Sequence, residues 1–243
     1  MLLLANSLID GYFASNFIGK GIVLIQLAFS VWMVQNIIAK YFNLRAIIRK
    51  TKEFRNAFSS FSNVIDYYRH YRPGNVSGIE RIYKDTAERL VKVVLGGERA
   101  RGAECSTRPE IKLTAHEIEL IRGVSAFALD EEIIALEKEM TPVATVVSLA
   151  PMLGLLGTVW GVLDAFAEMG QAGSANLATI APSIASALVT TVVGLIIAMP
   201  GVAAYNYLDS IIRKITSEFE GFADEIISRL ACEYQKGEDI VCQ

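Results

Sequence analysis

Hydroxyl groups at helical spacing inside an uncharged stretch are the residues of this sequence best suited to chemistry. From Met169 to Leu208 there is no charged residue, and a helix needs about 20 apolar residues to cross about 30 Å of hydrocarbon. Steps of three and four residues place a set of polar and small residues on one stripe of that helix. Its members are Ser183, Ser186, Ala187, Thr190, Thr191 and Gly194. Their hydroxyls can exchange hydrogen bonds and hold water, but they cannot carry a charge at ordinary pH.

A second uncharged stretch has the same character. Between Pro151 and Ala165, one helical face carries Gly154, Gly157, Thr158, Gly161 and Ala165. Small residues let two helix backbones approach closely, and Ser or Thr often bonds a carbonyl one turn back or on a neighbouring helix. The two stripes therefore indicate either close helix packing or a face toward a polar lumen. Pro151, Pro182 and Pro200 lie in these stretches and predict helix kinks, because proline removes a backbone donor.

The elements that must position these residues are membrane spans. With 243 residues and 52% hydrophobic content, the chain is too apolar for an ordinary soluble domain. The uncharged stretches predict an all-α integral membrane protein with three transmembrane helices, at residues 21–39, 140–163 and 180–208. The remaining segments are predicted as an external N-terminal segment (1–20), a cytoplasmic helical domain (40–139), a periplasmic loop (164–179) and a cytoplasmic C-terminal helix and tail (209–243). In the first span, Gln26, Ser30, Gln35 and Asn36 are expected to bond neighbouring helices.

Basic residues set the expected orientation. Six of them follow the first span closely, against the single Lys20 before it: Lys40, Arg45, Arg49, Lys50, Lys52 and Arg55. The positive-inside rule therefore predicts a periplasmic N-terminus and a cytoplasmic C-terminus. A nucleic-acid patch explains the cluster less well, because the basic residues lie directly beside a span. No nucleic-acid partner is expected.

Chemistry beyond hydrogen bonding is weakly supported. If Asp164 lies at the outer rim, the spans hold no Asp, Glu, Lys, Arg or His, although an ion path through hydrocarbon usually uses such a residue. No nucleophile with a base and no cluster at ligand spacing is recognisable, so neither an enzyme, a metal site nor a cofactor is expected. Cys105, Cys232 and Cys242 are interpreted as ordinary thiols on the cytoplasmic side.

Two motifs carry a family resemblance. GLLGTVWGVLDAF (Gly154–Phe166) and IAPSIASALVTTVVGLIIAMPGVAAYN (Ile180–Asn206) resemble the TolQ/ExbB/MotA proton-channel family. The resemblance implies an all-helical inner-membrane subunit with long cytoplasmic helical extensions, forming a homo-oligomeric ring, generally a pentamer. It implies a dimeric TolR- or ExbD-like partner whose single spans each bring one essential Asp, and a TolA- or TonB-like protein beyond it. The moved ion would be H⁺, with Na⁺ also possible.

The resemblance also assigns roles to residues. It implies that Thr158 and Thr191 line the surface that the partner's Asp meets, and Thr190 and Ser186 are placed on the same ion path. Independently of the resemblance, Gly154, Gly157, Gly161 and Gly194 are expected to serve helix packing, because small residues let backbones approach. One position departs from the family pattern, because Ser186 stands where the pattern usually has Glu.

Three functions remain open from the sequence. The resemblance first implies a TolQ-like motor subunit that converts the proton motive force into work on the cell envelope in a Tol-Pal system, since the chain begins close to its first span. An ExbB-like subunit that energises TonB-dependent outer-membrane transport is the alternative. From a different class, a non-conducting membrane scaffold would use the small-residue helices only for packing.

Overall fold

Five helices make up the regular structure of the part of the chain that is described. The computed structural model describes residues 17–61, 64, 67–68, 78–100, 113–172 and 177–234. The helices are α1 (Phe17–Ser59), α2 (Ile79–Ala100), α3 (Ala115–Glu137), α4 (Met140–Ala172) and α5 (Leu177–Tyr234). The all-helical fold class is thus confirmed for this part of the chain.

Three stretches of helix are long and apolar enough to cross a membrane. They lie in Phe17–Ser59, Ala115–Gln171 and Ile180–Tyr234, and they contain the three predicted spans. At most a third of each apolar window is buried within the chain, so most of its surface is available to lipid or to other helices. Pro151 lies inside α4, and Pro182 and Pro200 lie inside α5; their kinks remain predictions.

The chain divides into two compact units. The first, here called the apolar unit, comprises residues 1–41 and 139–210, and the second, the polar unit, comprises 42–138 and 211–243. The apolar unit packs α1, α4 and α5 around Met33, Val147 and Ile197. Gly201 also lies at this core, since a Cβ there would be 2.9 Å from Met33 Sδ and from Val147 Cγ2.

Aromatic side chains form the core of the polar unit. Phe58, Tyr83 and Phe222 are almost fully buried, and the ring centroids of Phe58 and Phe222 are 5.3 Å apart. The Tyr83 hydroxyl donates to the Val64 carbonyl at 2.7 Å, which satisfies its polar end. The α5 stripe at Ile212, Ile215, Phe219, Phe222 and Ile226 is buried inside the chain.

Polar contacts fix the ends of the helices in the polar unit. Gly78, just before α2, has a φ of +63°, and its N–H donates to a Glu132 carboxylate oxygen at 2.7 Å. Arg81 forms ion pairs with Glu131 and Glu132 on α3. Thr114 caps α3 through a reciprocal capping box with Glu117.

Some sequence-based expectations fall on residues that the structure does not describe. The predicted external segment 1–20 is described only from Phe17, and the C-terminal segment only as far as Tyr234. Cys105 and Cys242 also lie outside the described residues. Cys232 is disulfide-bonded, so the expectation of a free thiol is wrong for this residue.

Candidate functional site: a hydroxyl pair between two glycine-lined helices

Two threonine hydroxyls meet one backbone carbonyl in the apolar unit. Thr191 Oγ1 lies 2.7 Å from the Gly154 carbonyl oxygen, and Thr190 Oγ1 lies 3.1 Å from the same atom. The structure therefore brings two of the three predicted path residues of α5 to one carbonyl of α4. We call Thr190, Thr191 and the Gly154 carbonyl the hydroxyl pair site.

The missing side chain at Gly154 makes this meeting possible. A Cβ at this position would lie 2.8 Å from Thr191 Cα and 3.0 Å from the Thr190 carbonyl oxygen. The first distance is well below van der Waals contact and the second is slightly below it, so a larger residue would require the α5 backbone to shift. Gly154 thus allows the α5 backbone to approach closely enough for two hydroxyls to reach one carbonyl.

Thr190 has two acceptors for one proton. Its hydroxyl lies 2.7 Å from the Ala187 carbonyl on its own helix, besides the Gly154 carbonyl on α4. A hydroxyl donates one hydrogen and accepts through two lone pairs, so only one of these bonds is donated at a time. Thr190 is 1% exposed, and its hydroxyl can reorient between the two carbonyls without leaving the helix contact.

The other assigned glycines also lie at contacts between α4 and α5. A Cβ at Gly157 would collide with the Thr190 side chain, and one at Gly161 with Ala187 Cβ. A Cβ at Gly194 would lie 2.6 Å from the Ala150 carbonyl oxygen. The structure thus places all four sequence-assigned glycines where two helices touch.

Gln26 joins the first span to this site. Its side-chain amide nitrogen lies 3.2 Å from the Ala150 carbonyl on α4 and 3.3 Å from the Thr190 carbonyl on α5. The side chain is fully buried, and its amide oxygen has no hydrogen-bond partner within the described structure. The sequence alone did not distinguish Gln26 from the other polar residues of the first span. Asn36, another of these residues, donates to the Trp32 carbonyl of its own helix.

Thr158 and Ser186 are not part of the hydroxyl pair site. The Thr158 hydroxyl donates to the Leu155 carbonyl at 2.8 Å, and the Ser186 hydroxyl donates to the Ser183 carbonyl at 2.9 Å. Both bonds stay within one helix. Ser186 instead lines a small cavity beside Thr190, while Thr158 is partly exposed on the surface of α4.

The opposite end of the apolar unit holds a buried cation. Lys40 is 3% exposed, and its Nζ lies 3.0 Å from a Glu139 carboxylate oxygen at the start of α4. Burying an ammonium is costly unless it is paired, so this ion pair fixes where the first span ends against the second. Within the described residues, no three His, Cys, Asp or Glu side chains are grouped to hold a metal ion.

Comparison with known proteins decides the family. A family model described as the MotA/TolQ/ExbB proton channel family matches residues 99–221, which are 123 of the 243 residues and more than half of the chain. The chain belongs to the MotA/TolQ/ExbB proton channel family. This confirms the resemblance carried by Gly154–Phe166 and Ile180–Asn206. The match to this family includes the hydroxyl pair site and all four packing glycines but not Gln26.

Individual relatives carry two different names. Proteins named Tol-Pal system protein TolQ are 42% identical over 103 residues in Haemophilus influenzae and 41% identical over 98 residues in Pseudomonas aeruginosa. These matches cover 42% and 40% of this chain, and 45% and 42% of the relatives. A protein named biopolymer transport protein ExbB, from Xanthomonas campestris pv. campestris, is 37% identical over 99 residues, covering 41% of this chain and 39% of the relative. The chain therefore spans less than half the length of these MotA/TolQ/ExbB relatives.

Proposed function

We propose that this protein is the channel-forming subunit of an inner-membrane motor that uses an ion gradient to do work on the cell envelope. The observation that carries the proposal is the hydroxyl pair site, where Thr190 and Thr191 converge on the Gly154 carbonyl inside an apolar helix unit. The chain belongs to a proton channel family, and a proton channel is a class of transporter rather than of enzyme. H⁺ is the proposed ion, with Na⁺ as the alternative, and no further cofactor is proposed.

The proposed ion path needs a second polypeptide. Hydroxyls can stabilise a carboxyl group in either protonation state by hydrogen bonding, because they both donate and accept. They cannot themselves carry a charge, so the hydroxyl pair site needs a carboxylate to hold the ion as it passes. We propose that a dimeric single-span partner of the TolR or ExbD type brings an Asp to Thr191 and Thr158, and that a TolA- or TonB-like protein acts beyond it.

We also propose a homo-pentameric ring around that partner. Large apolar side chains such as Met152, Leu155, Val159 and Leu188 are more than half exposed in the single chain. Exposed apolar surface of this extent requires lipid or further helices as cover. The proposed ring places part of this surface between copies and leaves the remainder to the bilayer.

The proposed orientation has a periplasmic N-terminus and a cytoplasmic C-terminus. The basic cluster after the first span supports it, because Lys and Arg near span ends favour the cytoplasmic side. Arg49 and Arg55 in this cluster are exposed and pair with Glu53 and Glu225. Such surface ion pairs contribute little free energy. The arginines therefore still count as positive charges that favour the cytoplasmic side.

Between the two family roles, we place a TolQ-like function in a Tol-Pal system first and an ExbB-like function second. Relatives of both names cover similar shares of the chain, with 42% identity to a TolQ and 37% to an ExbB. The process served by the motor depends on the partner's external domain. Co-purification with each candidate partner, followed by identification of the retained one, separates the two roles.

One observation favours a non-conducting scaffold as the second candidate. The hydroxyls of Thr158, Ser186, Thr190 and Thr191 all donate to backbone carbonyls within the chain. Helix packing alone produces such bonds. A scaffold would retain its partners and its ring while moving no ion.

Ion flux in sealed vesicles tests the proposal. The full chain, co-purified with its single-span partner, is reconstituted and a proton or sodium gradient is imposed. The proposed function predicts gradient-driven flux with the partner and little with the chain alone, because the chain lacks the partner's carboxylate. Partner binding without flux of either ion would contradict the channel function and support the scaffold.

A further inference from the structure

A small cavity lies beside the hydroxyl pair site, at the end of the apolar unit that contains the start of α1 and α5. It has a volume of about 10 Å³, and Gly19, Asp164, Ser186 and Thr190 are among its lining residues. A single water molecule needs about 10–15 Å³ of such space, so the cavity is of the size of one water. Gly157, Trp160 and Gly161 complete its α4 wall, and Ala187 lies opposite on α5.

Asp164 is the ionisable residue among the described residues that line this cavity. The sequence placed Asp164 at the outer rim of the membrane, apart from the hydroxyl stripe. In the structure it shares one cavity with two members of that stripe, because α4 and α5 approach closely at Gly157 and Gly161. Ser186 and Thr190 are one helical turn apart on α5, so both hydroxyl-bearing residues face the same space as the carboxylate.

The cavity connects to the hydroxyl pair site through Thr190. This residue lines the cavity, and its hydroxyl also reaches the Gly154 carbonyl, to which Thr191 donates. Asp164 and Thr190 thus line one cavity, and Thr190 shares the Gly154 carbonyl with Thr191. Along α4, the ten residues from Asp164 to Gly154 correspond to about 15 Å of helix.

We propose that Asp164 is an ion-binding residue of this chain, which takes up a monovalent cation at the mouth of the path. For a proton, a hydronium ion outside loses the proton to the Asp164 carboxylate, which becomes a neutral carboxyl group. The carboxyl group then gives the proton to water in the cavity, beside Ser186 and Thr190, and is again a carboxylate. For sodium, the carboxylate oxygens act as ligands of the ion. This inference rests on the proposed channel function.

Glu168 provides a matched control on the same helix. It lies one turn beyond Asp164, its side chain is exposed, and one of its carboxylate oxygens accepts a hydrogen bond from the Ser183 hydroxyl at 3.1 Å. It is not among the residues that line the cavity. Replacing its charge therefore changes the local field and leaves the cavity unchanged.

The test measures ion flux in vesicles that contain the full chain and its co-purified partner. Asp164→Asn keeps the shape and removes the ion-binding group, so flux should fall about tenfold or more, whereas Glu168→Gln should change it by less than about twofold. Ser186→Glu in the Asp164→Asn background returns a carboxylate to the same cavity from α5 and should restore much of the flux. A pH-sensitive dye in sodium-free buffer and a sodium-sensitive dye identify which ion is bound.

The outcomes separate this inference from the proposed function. If the parent conducts and Asp164→Asn conducts equally, the Asp164 site is wrong and the channel function stands. If Asp164→Asn loses its partner or its assembly along with flux, Asp164 is a packing residue and the inference is overturned. Failure of Ser186→Glu to restore flux in an assembled complex would contradict a carboxylate acting within this cavity. If the parent conducts neither ion, the proposed function and this inference are both contradicted.

Discussion

The Thr191 hydroxyl donates a hydrogen bond to the Gly154 carbonyl at 2.7 Å, joining α5 to α4 at a point where neither helix carries a charge. Helix carbonyls ordinarily accept from the N–H four residues later, so this oxygen receives an additional donor through its second lone pair. The bond holds the Thr191 side chain at a defined height on the helix pair. Its oxygen keeps lone pairs for water or for a carboxyl proton.

Gln26 allows the energetics of the buried amide to be tested. Gln26→Leu removes two donated bonds, each worth about 0.5–1.5 kcal/mol, and also removes a buried oxygen without a partner, which costs about 1–3 kcal/mol. These effects oppose each other, so the free energy of unfolding should change by no more than about 2 kcal/mol. Gln26→Ala should cost about 2 kcal/mol more than Gln26→Leu, because it leaves a cavity.

Thermal and denaturant unfolding in detergent measures the free energy of unfolding of both Gln26 variants and of the parent. Equal losses for Gln26→Leu and Gln26→Ala would contradict the predicted cavity cost. A loss of more than about 2 kcal/mol for Gln26→Leu would show that the amide bonds outweigh the unpartnered oxygen.

Gly157 tests the close contact between α4 and α5. Gly157→Leu places a bulky side chain against Thr190, and overpacking of this kind costs about 1–3 kcal/mol or more. The unfolding midpoint should fall, and the ring should be lost as a consequence of misfolding. Gly170→Leu is the matched control on α4, because no atom lies within 4 Å of its added Cβ. A Gly157→Leu protein with the parent's midpoint would contradict the contact.

Substitution of Gly78 tests the backbone conformation and the packing before α2 in the polar unit. Its φ of +63° costs other residues about 1–2 kcal/mol, and an added Cβ would lie 2.9 Å from Phe219 Cζ. Gly78→Ala should therefore lower the free energy of unfolding by about 1–3 kcal/mol. Gly221→Ala, in the middle of α5 with no neighbouring atom within 4 Å, should instead be neutral or raise it by about 0.5–1 kcal/mol. Denaturation monitored by helical circular dichroism compares the two.

Orientation is tested by labelling of intact cells with a membrane-impermeant maleimide. Gly170→Cys and Gly221→Cys both introduce an exposed residue where no atom crowds the added Cβ. The proposed topology places residue 170 outside and residue 221 in the cytoplasm, so only Gly170→Cys should gain label over the parent. Labelling of Gly221→Cys alone would reverse the proposed orientation.

Local sequence patterns predicted the helices and the small faces well. Three uncharged stretches predict spans because apolar length is a local property, and the structure has long apolar helices there. Steps of three and four residues place Gly154, Gly157 and Gly161 on one face. The α5 stripe from Ile212 to Ile226 repeats at steps of three and four residues, the pattern of a seam that packs against other helices. The structure buries it inside the chain, so this stripe is not free to join copies.

Contacts between helices could not be predicted in the same way. The rotation of α4 about its axis decides whether Thr158 or the Gly154 carbonyl faces Thr190 and Thr191 on α5. Sequence periodicity leaves this rotation undetermined. The same rotation brings Asp164 to the cavity that Ser186 lines. Gln26 was one of four polar residues in the first span. Only the way α1 packs against α4 and α5 shows that Gln26 is the one that reaches the carbonyls of both helices.

Ion flux through Thr191→Val is the most direct test of the hydroxyl path. Valine keeps the shape of threonine and removes its hydroxyl, so the partner complex should still assemble while flux falls at least about tenfold. Thr145→Val is the matched control, because the Thr145 hydroxyl donates only within α4, to the Thr141 carbonyl at 3.0 Å, and it should conduct like the parent. An assembled Thr191→Val complex whose flux equals that of the parent would contradict the account, and the hydroxyl stripe would then serve helix packing alone.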